Sequence, residues 1–252
     1  MTPLYWDDRA ARPAWQQMAI DRTLADRAAR DGTIVYRLYR WERSSVSFGA
    51  NEAACRTWNR AAIDRAGVPC VRRPTGGRGV WHDRDDLTYA VTAPAAALGG
   101  LRLAYRAIHD QLARALGRLE LDASVAESSG SRPTLRPGAC FDLAVGGEVL
   151  VGGRKAIGSA QALFGPALLQ HGAIARRDRQ SCLARFRLDR SGDHEAEPVL
   201  EWPPVETVAD AIVSEWRAAG IRPVPPELQV AAESDAGTWG AQFRDDRWTW
   251  RR

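Results

Sequence analysis

The sequence of 252 residues contains a single lysine, Lys155, among its 35 basic residues. Arginine stays protonated in ordinary protein sites, whereas a lysine amine can be tuned to exchange protons. Lys155 follows Cys140 by 15 residues, a separation that a hairpin can fold back into a contact. A cysteine attacks as its thiolate, and a nearby ammonium lowers the pKa of the thiol. The two residues could therefore attack a thioester and hold the acyl group on sulfur.

Two plainer interpretations stand beside this one. A lone lysine can be an accident of composition, and an isolated cysteine is most often a small apolar core residue. Cys140, however, follows the segment SVAESSGSRPTLRPGA, whose serines, prolines and glycines predict a loop. Loops on a rigid scaffold often carry reactive groups, which favours an accessible thiol.

A second candidate is the glycine loop in VRRPTGGRGVWHDRDDLTYAV, which lies between two strand-like runs. A dinucleotide fingerprint would need a helix after the loop, and a P-loop would need Gly-Lys-Ser/Thr; both are missing. Glycines let a backbone approach a ligand closely, and their N–H groups can stabilise an oxyanion. The loop therefore predicts contact with another kind of ligand, although a simple hairpin turn would give the same pattern.

Other classes of site and partner are not predicted. The four cysteines form no CxxC pair and the four histidines have no i, i+4 spacing, which argues against zinc and disulfides. The net charge is only +4 and acidic residues alternate with the arginines, unlike the concentrated charge of nucleic-acid binders. No apolar run reaches the roughly 18 residues of a membrane span. The first residues are acidic where a signal peptide is basic and apolar, so we expect a cytoplasmic protein without membrane contact.

Hydrophobic periodicity predicts the elements that must position these residues. Helices are expected over 14–30, 52–67, 101–119 and 206–220, with a docking helix in the tail. His109 falls within the third of these helices, where we expect it on the surface. Strands are expected over 33–41, 44–51, 69–73, 87–93, 148–153, 154–161, 167–175 and 184–189.

Two long motifs carry a family resemblance. The glycine-loop segment resembles the first signature of the lipoate–protein ligase family, a branch of the biotinyl/lipoyl ligase superfamily. GRKAIGSAQ followed by LQHGAI resembles the second signature, and MAID, RLYRW…SFG and the tryptophan-rich end also fit. The resemblance implies an α+β fold, with a mixed, mostly antiparallel sheet flanked by helices. It also implies one catalytic domain over 1–252, with a core at about 30–220 and a C-terminal helical tail at 221–252.

Within that family, CFD before EVLVGGRKAIGSAQ resembles the cysteine-dependent octanoyltransferases. Those acyltransferases move an octanoyl group from acyl carrier protein to the lipoyl-domain lysine of a carrier, such as glycine-cleavage H protein, in protein lipoylation. The resemblance implies that Cys140 accepts the acyl group as a thioester and that Lys155 lowers its pKa, without metal, cofactor or ATP. It also implies an acyl tunnel lined by Arg73, Gly76, Gly77, His82, Gly158, Ser159, Ala160, His171 and Gly172.

Three alternatives remain open. An ATP-dependent lipoate–protein ligase would form an acyl-adenylate at the same loops, but Cys140 would have no role there and 252 residues leave little room for an accessory domain. A non-catalytic acyl-binding or carrier-docking module would keep the pocket, but would not need the pair of Cys140 and Lys155. A biotin ligase is the most distant of the three.

Overall fold

The structure, a computed structural model, describes residues 1–127, 147–176, 180–189 and 202–251. Within these ranges eight strands form one large sheet and three form a second sheet. The strands are β1 (Leu4–Arg12), β2 (Val35–Trp41), β3 (Ser45–Phe48), β4 (Cys70–Arg72), β5 (Val80–His82), β6 (Leu87–Pro94), β7 (Ala123–Val125), β8 (Val149–Val151), β9 (Arg154–Phe164), β10 (Ala167–Ile174) and β11 (Arg222–Pro223). The helices are α1 (Ala14–Asp31), α2 (Ala54–Thr57), α3 (Arg60–Arg65), α4 (Leu101–Gly117), α5 (Gln180–Ala184), α6 (Val205–Ala218), α7 (Pro226–Asp235), α8 (Gly237–Arg244) and α9 (Asp246–Thr249), with a 3₁₀ turn at Ala95–Leu98.

The large sheet is mixed. Its strands run in the order β11-β1-β2-β6-β10-β9-β8-β7. The pairs β11–β1 and β1–β2 are parallel, and every pair from β2 to β7 is antiparallel. In the second sheet, β3 pairs with β4 in parallel and with β5 antiparallel. These pairings and the helices around them confirm the expected α+β fold with a mostly antiparallel sheet.

Both faces of the large sheet are buried, so the polar side chains of its central strands, such as Arg37 and His171, are buried as well. One face, here called the α4/α6 face, packs against those two helices through residues such as Leu38, Tyr89 and Ile157. The opposite face, here called the α1 face, packs Ala90 and Leu169 against α1. Because neighbouring residues of a strand point to opposite faces, the chain can place different chemistry on the two sides.

Helix α1 follows directly from the sequence. Its apolar stripe of Ile20, Leu24 and Ala28 is buried, and Asp21 is buried beside it. The helix ends at Gly32, whose φ of 77° is in the left-handed region that favours glycine. The predicted helix over 14–30 is therefore confirmed, as is the helix predicted over 101–119, which forms α4.

The C-terminal tail packs on α1 and beside the second sheet. Helices α7 and α8 contact α1, and Phe243 is buried in the same cluster as the inner side of α1. The guanidinium of Arg72 donates to the carbonyl oxygens of Trp248 at 2.8 Å and Arg251 at 3.0 Å. The tail is therefore attached to the strand that precedes the glycine loop, while its boundary at residue 221 stays a prediction.

Several local predictions were wrong. The helix expected over 52–67 is split into α2 and α3, because Trp58 is extended and the Asn59 side chain caps α3 by accepting from the N–H of Ala62. The strand expected over 184–189 is the end of α5 and a turn, with one isolated bridge between Arg187 and Trp58. Strands β1, β5, β7 and β11 were not predicted. Polar residues interrupt the apolar patterns of β1 and β5, β11 has only two residues, and β7 overlaps the first residues of the segment that was predicted to be a loop.

No helix in the described ranges is long and apolar enough to cross a membrane.

Candidate functional site

A pocket of about 370 Å³, including its solvent-open part, lies on the α1 face of the large sheet. The surface that the surrounding residues expose to the pocket is almost entirely apolar, although several of these residues have polar side chains. The wall is formed by Met18, Tyr39, Trp41, Ser47, Arg73, Val80, His82, Thr88, Gly158, Ser159, Ala160, His171, Gly172 and Ala173. Seven of the nine residues named for the acyl tunnel are among them, namely Arg73, His82, Gly158, Ser159, Ala160, His171 and Gly172.

Strands β9 and β10 bring the two halves of the second sequence motif together. They pair antiparallel, with Gly172 opposite Ser159 and His171 opposite Ala160. The approach at Gly172 is close, since an added Cβ would lie 2.3 Å from Ser159 Oγ and 2.8 Å from the oxygen of Gly158. This position therefore requires glycine for packing rather than for its backbone angle.

Gly76 and Gly77, the remaining two tunnel candidates, lie in the loop over 73–79 but are not part of the pocket wall. The guanidinium of Arg73 donates to the oxygen of Gly76 at 2.8 Å and to that of Arg78 at 2.7 Å, which fixes the loop. Gly77 has a φ of 95°, and its carbonyl packs tightly against Gly49, where an added Cβ would lie 1.8 Å from the oxygen. The loop is thus held from both sides.

His82 is buried in the pocket wall. Its ring stacks on Trp41 with centroids 4.1 Å apart, and its Nε2 lies 2.8 Å from Ser47 Oγ. Burial, then the nearby charge of Arg73, lowers the pKa of His82 well below its usual value. The neutral ring keeps its Nδ1 buried without a hydrogen-bond partner in the described part of the chain. This nitrogen can pair with a polar atom of a ligand, because buried polar atoms are normally hydrogen-bonded.

His171 lies between two polar side chains. Its Nδ1 is 3.0 Å from Asp21 Oδ2 in α1, and its Nε2 is 2.6 Å from Thr75 Oγ1 in the glycine loop. The imidazole therefore joins the helix, the strand and the loop at the wall of the pocket.

Asp21 is itself part of a buried charge network. Arg37 Nη1 donates to its Oδ1 at 2.7 Å, and the Tyr39 hydroxyl donates to its Oδ2 at 2.9 Å. Arg37 also donates to Asp8 Oδ2 at 2.6 Å, so the cation lies between two carboxylates. Burial and then Asp21 raise the pKa of Tyr39 well above its usual value, so the phenol keeps its proton and donates. Buried charges are tolerated only when they are paired in this way.

The α4/α6 face contains a second buried histidine. His109 is fully buried, so the expectation that it lies on the helix surface was wrong. Its Nε2 is 2.8 Å from Ser159 Oγ and 3.0 Å from the Tyr89 hydroxyl, and its Nδ1 contacts the oxygen of Gly147. Burial lowers the pKa of His109 to about 4. The helix periodicity placed it one position away from the stripe, but could not show the hydroxyl groups that allow its burial.

Lys155 forms a nearly buried ion pair with Glu148, with Nζ 2.6 Å from Oε1 and both side chains 5% exposed. A β-bulge determines which way the lysine points. Val149 pairs with Ile157, whereas Leu150 pairs with Lys155, so β9 contains one extra residue at this point. Val149 and Ile157 face α4 and α6, so Leu150 and its partner Lys155 point to the α1 face.

Cys140 lies outside the described residues, and Lys155 is not part of the pocket wall. The predicted contact between them is therefore still a prediction. The described cysteines Cys55, Cys70 and Cys182 are free thiols. Burial raises the pKa of Cys70 to about 12, which makes that thiol a poor nucleophile.

No group of three or more His, Cys, Asp or Glu side chains in the described ranges could hold a metal ion. The sequence reasoning did not single out Asp21, Thr75 or Glu148, each of which contacts a residue that it did single out. A signal existed for Asp21, which is a charged residue within the buried stripe of α1 and the last residue of MAID. Thr75 lies inside the glycine motif, between residues that were chosen for their backbones.

The sequence matches a family model described as the lipoyl protein ligase A/B catalytic domain, over residues 13–192. Octanoyltransferase LipM of Kyrpidia tusciae is 33% identical, and the match covers 86% of each chain. Octanoyltransferase LipM of Symbiobacterium thermophilum is also 33% identical, with 97% of each chain covered.

Solved structures with the same fold include lipoate-protein ligase A bound with ATP, with a TM-score of 0.78 and 18% identity over 99% of both chains. A bipartite lipoate protein ligase from Thermoplasma acidophilum has a TM-score of 0.72 and 18% identity, over 99% of this chain and 96% of the other. At these identities the structures establish the fold alone. The family model covers most of the chain and the relatives extend the match almost to its ends, so the chain belongs to the lipoyl protein ligase A/B catalytic domain family.

Proposed function

We propose that this chain is an octanoyltransferase, which moves an octanoyl group from acyl carrier protein to the lipoyl-domain lysine of a carrier protein through a thioester on Cys140. The observation that carries the proposal is the one-third identity to proteins named octanoyltransferase over 86% and 97% of their length. Glycine-cleavage H protein is the acceptor that we propose to test first, and a cytoplasmic location is part of the proposal.

The pocket supports an alkyl ligand. Met18, Trp41 and Val80 provide apolar surface, and the two glycines and two alanines of the β9 and β10 segments let backbone line much of the remaining wall. Burying the methylene groups of an acyl chain is favourable by about 0.8 kcal/mol per group. The Ser47 hydroxyl accepts from Arg73 and can donate to Nε2 of His82, which leaves the ring proton on the unpartnered Nδ1 for donation to an oxygen of the acyl group.

The proposed chemistry has two transfer steps. In the first, the Cys140 thiolate attacks the thioester carbonyl of the donor; a new carbon–sulfur bond forms, and the donor sulfur leaves as a thiolate that takes up a proton. In the second, the amine of the acceptor lysine attacks the Cys140 thioester; an amide forms, the Cys140 thiolate leaves, and the amine releases one proton. One thioester replaces another in the first step, so no nucleotide is required to drive it.

Lys155 would act in both steps through its charge. An ammonium near Cys140 favours the thiolate, first as the nucleophile and then as the leaving group. Two observations support a role at the site: the bulge turns Lys155 to the α1 face, and Glu148 holds its amine. Arginine would provide the same charge in a planar group with different reach, which does not replace an amine.

An ATP-dependent lipoate–protein ligase is the alternative within the family, and a non-catalytic acyl-binding module is the alternative outside catalysis. Lipoate-protein ligase A bound with ATP shares the fold, but its 18% identity carries no activity to this chain. Cys140 separates the three functions, because only the transferase needs a nucleophile at that position.

The test is a transfer assay with octanoyl-acyl carrier protein, a lipoyl domain and the purified chain, with and without ATP. We expect octanoylation of the lipoyl lysine without ATP, and none with Cys140→Ala. Transfer that requires ATP and free octanoic acid would support the ligase instead. Binding of octanoate without any transfer would support the non-catalytic module.

A further inference from the structure

Three segments that are distant in the sequence meet at His171. Asp21 comes from α1, Thr75 from the glycine loop and His171 from β10, and their exposed fractions are 0%, 0% and 4%. The two contacts of the imidazole, 3.0 Å to Asp21 and 2.6 Å to Thr75, have the lengths of good hydrogen bonds. We call this row of three side chains the latch.

The chemistry of the groups determines the direction of each hydrogen bond. The Asp21 carboxylate already accepts from Arg37 and Tyr39, and it can only accept from His171 as well. His171 therefore carries its proton on Nδ1 and donates to Asp21. In the neutral ring Nε2 must then accept, so the Thr75 hydroxyl donates to it. The network around Asp21 thus selects the tautomer that can hold the glycine loop.

The position of the latch suggests what it controls. His171 is part of the pocket wall, whereas Thr75 is not, and it lies in the loop that Arg73 also holds. The backbone oxygen of Thr75 accepts from the N–H of Ala50 at 2.8 Å, so this residue fixes the loop through both its main chain and its side chain. A displacement of Thr75 would move the loop relative to the His171 side of the pocket.

We propose that Asp21 and Thr75 are positioning residues for the acyl group, acting through the tautomer of His171. The latch fixes the distance between the glycine loop and β10, and with it the width of the pocket. This inference rests on the proposed function, since it assigns the pocket to the octanoyl chain. The latch residues need not contact the reacting atoms. We therefore expect their substitution to raise the half-saturating concentration of the donor and to leave the rate at saturating donor unchanged.

Removing the Thr75 hydroxyl without changing the size of the side chain tests the latch. Thr75→Val should raise the half-saturating concentration of octanoyl donor about tenfold, which is the effect of losing one buried hydrogen bond and orphaning its partner. Thr75→Ser keeps the hydroxyl and should remain within about threefold of the parent. Thr92→Val is the matched control, because the buried Thr92 hydroxyl has no hydrogen-bond partner in the described ranges. The half-saturating concentration of octanoyl donor for Thr92→Val should equal that of the parent.

Nitrogen-15 NMR of the parent protein gives a readout that does not depend on turnover or on the stability of a variant. We expect the spectrum of His171 to show a protonated Nδ1 and an unprotonated Nε2, and Asp21→Asn to alter this pattern and to raise the half-saturating donor concentration. The opposite tautomer in the parent would overturn the latch. Equal half-saturating donor concentrations in folded Thr75→Val and Thr75→Ser would also overturn it. So would a change in the maximal rate alone. A parent protein that transfers no octanoyl group contradicts the proposed function instead, and the NMR result then decides the latch by itself.

Discussion

His171 and His109 lie against opposite faces of the same sheet, and each is buried within a network of hydrogen bonds. On the α4/α6 face, both ring nitrogens of His109 contact groups of the protein core. On the α1 face, a pocket opens beside His171, and the neighbouring His82 keeps one nitrogen without a partner in the described part of the chain.

The difference between the faces separates stability from function. Both ring nitrogens of His109 have partners within the protein, and a network of this kind lowers the free energy of the folded state. The pocket on the α1 face is different, because its wall contains His82, whose buried Nδ1 has no hydrogen-bond partner in the described part of the chain and can bind a ligand atom. We therefore expect a change at His109 to act on unfolding, and changes in the pocket wall or the glycine loop to act on transfer.

The largest expected effect is on the pH dependence of stability at His109. Its pKa in the folded chain is about 4, below the value of about 6.5 in an unfolded chain. Its contribution is therefore fully present above pH 6.5 and is lost as the pH falls toward 4, on the order of 3 kcal/mol. The free energy of unfolding of His109→Asn, measured with denaturant across this pH range, should therefore fall by that much less than it does in the parent protein.

Comparing His109→Asn with the parent removes the other titrating groups from the result. Asp86, whose pKa is raised to about 7 by burial, acts in the opposite direction in both proteins, because its contribution is lost as the pH rises. The folded variant should keep octanoyl transfer near pH 7 within a few fold. An unchanged pH dependence, or a selective loss of transfer, would contradict the assignment of this face to stability.

The next effect is on the α1 face, at Gly49. A Cβ at this position would lie 1.8 Å from the oxygen of Gly77, so Gly49→Ala must displace the glycine loop. A displacement of about 1 Å in a site costs on the order of 100-fold in catalytic efficiency, so transfer at subsaturating donor should fall by about that factor. Gly117→Ala is the control, since its added Cβ meets nothing within 4 Å. Full activity in folded Gly49→Ala would remove the loop from the site.

A smaller effect is expected at Glu148. It shows whether the ion pair of Glu148 with Lys155 serves transfer or the stability of the fold. Glu148→Gln keeps the shape but removes the charge beside the nearly buried ammonium. We expect the transfer rate of Glu148→Gln to fall about tenfold, because the amine of Lys155 is held less firmly. The transfer rate of Glu148→Asp should lie between those of Glu148→Gln and the parent. A loss of stability with no change in transfer would place this pair with the structural network of His109. The measurements are initial transfer rates and melting temperatures.

The sequence predicted the main helices and central strands because their apolar periodicity is regular over many residues. Seven of the residues that the family resemblance named for an acyl tunnel lie in the pocket wall, and their contact with an acyl group stays a prediction. Asp21 and Glu148 were missed because a single sequence does not show which charged residues find a buried partner. His109 was misplaced for the same reason: its burial depends on the hydroxyls of Ser159 and Tyr89, which come from two other strands.

The central claim is that Cys140 holds the octanoyl group, and mass spectrometry of the intact protein tests it most directly. The chain is mixed with octanoyl-acyl carrier protein in the absence of ATP and of any acceptor, and the mass is measured before and after hydroxylamine. We predict a gain of one octanoyl group that maps to Cys140, is released by hydroxylamine, and is discharged to an amide when a lipoyl domain is added. Cys140→Ala should gain no mass. A Cys140→Ala protein that still octanoylates the lipoyl domain would contradict the account.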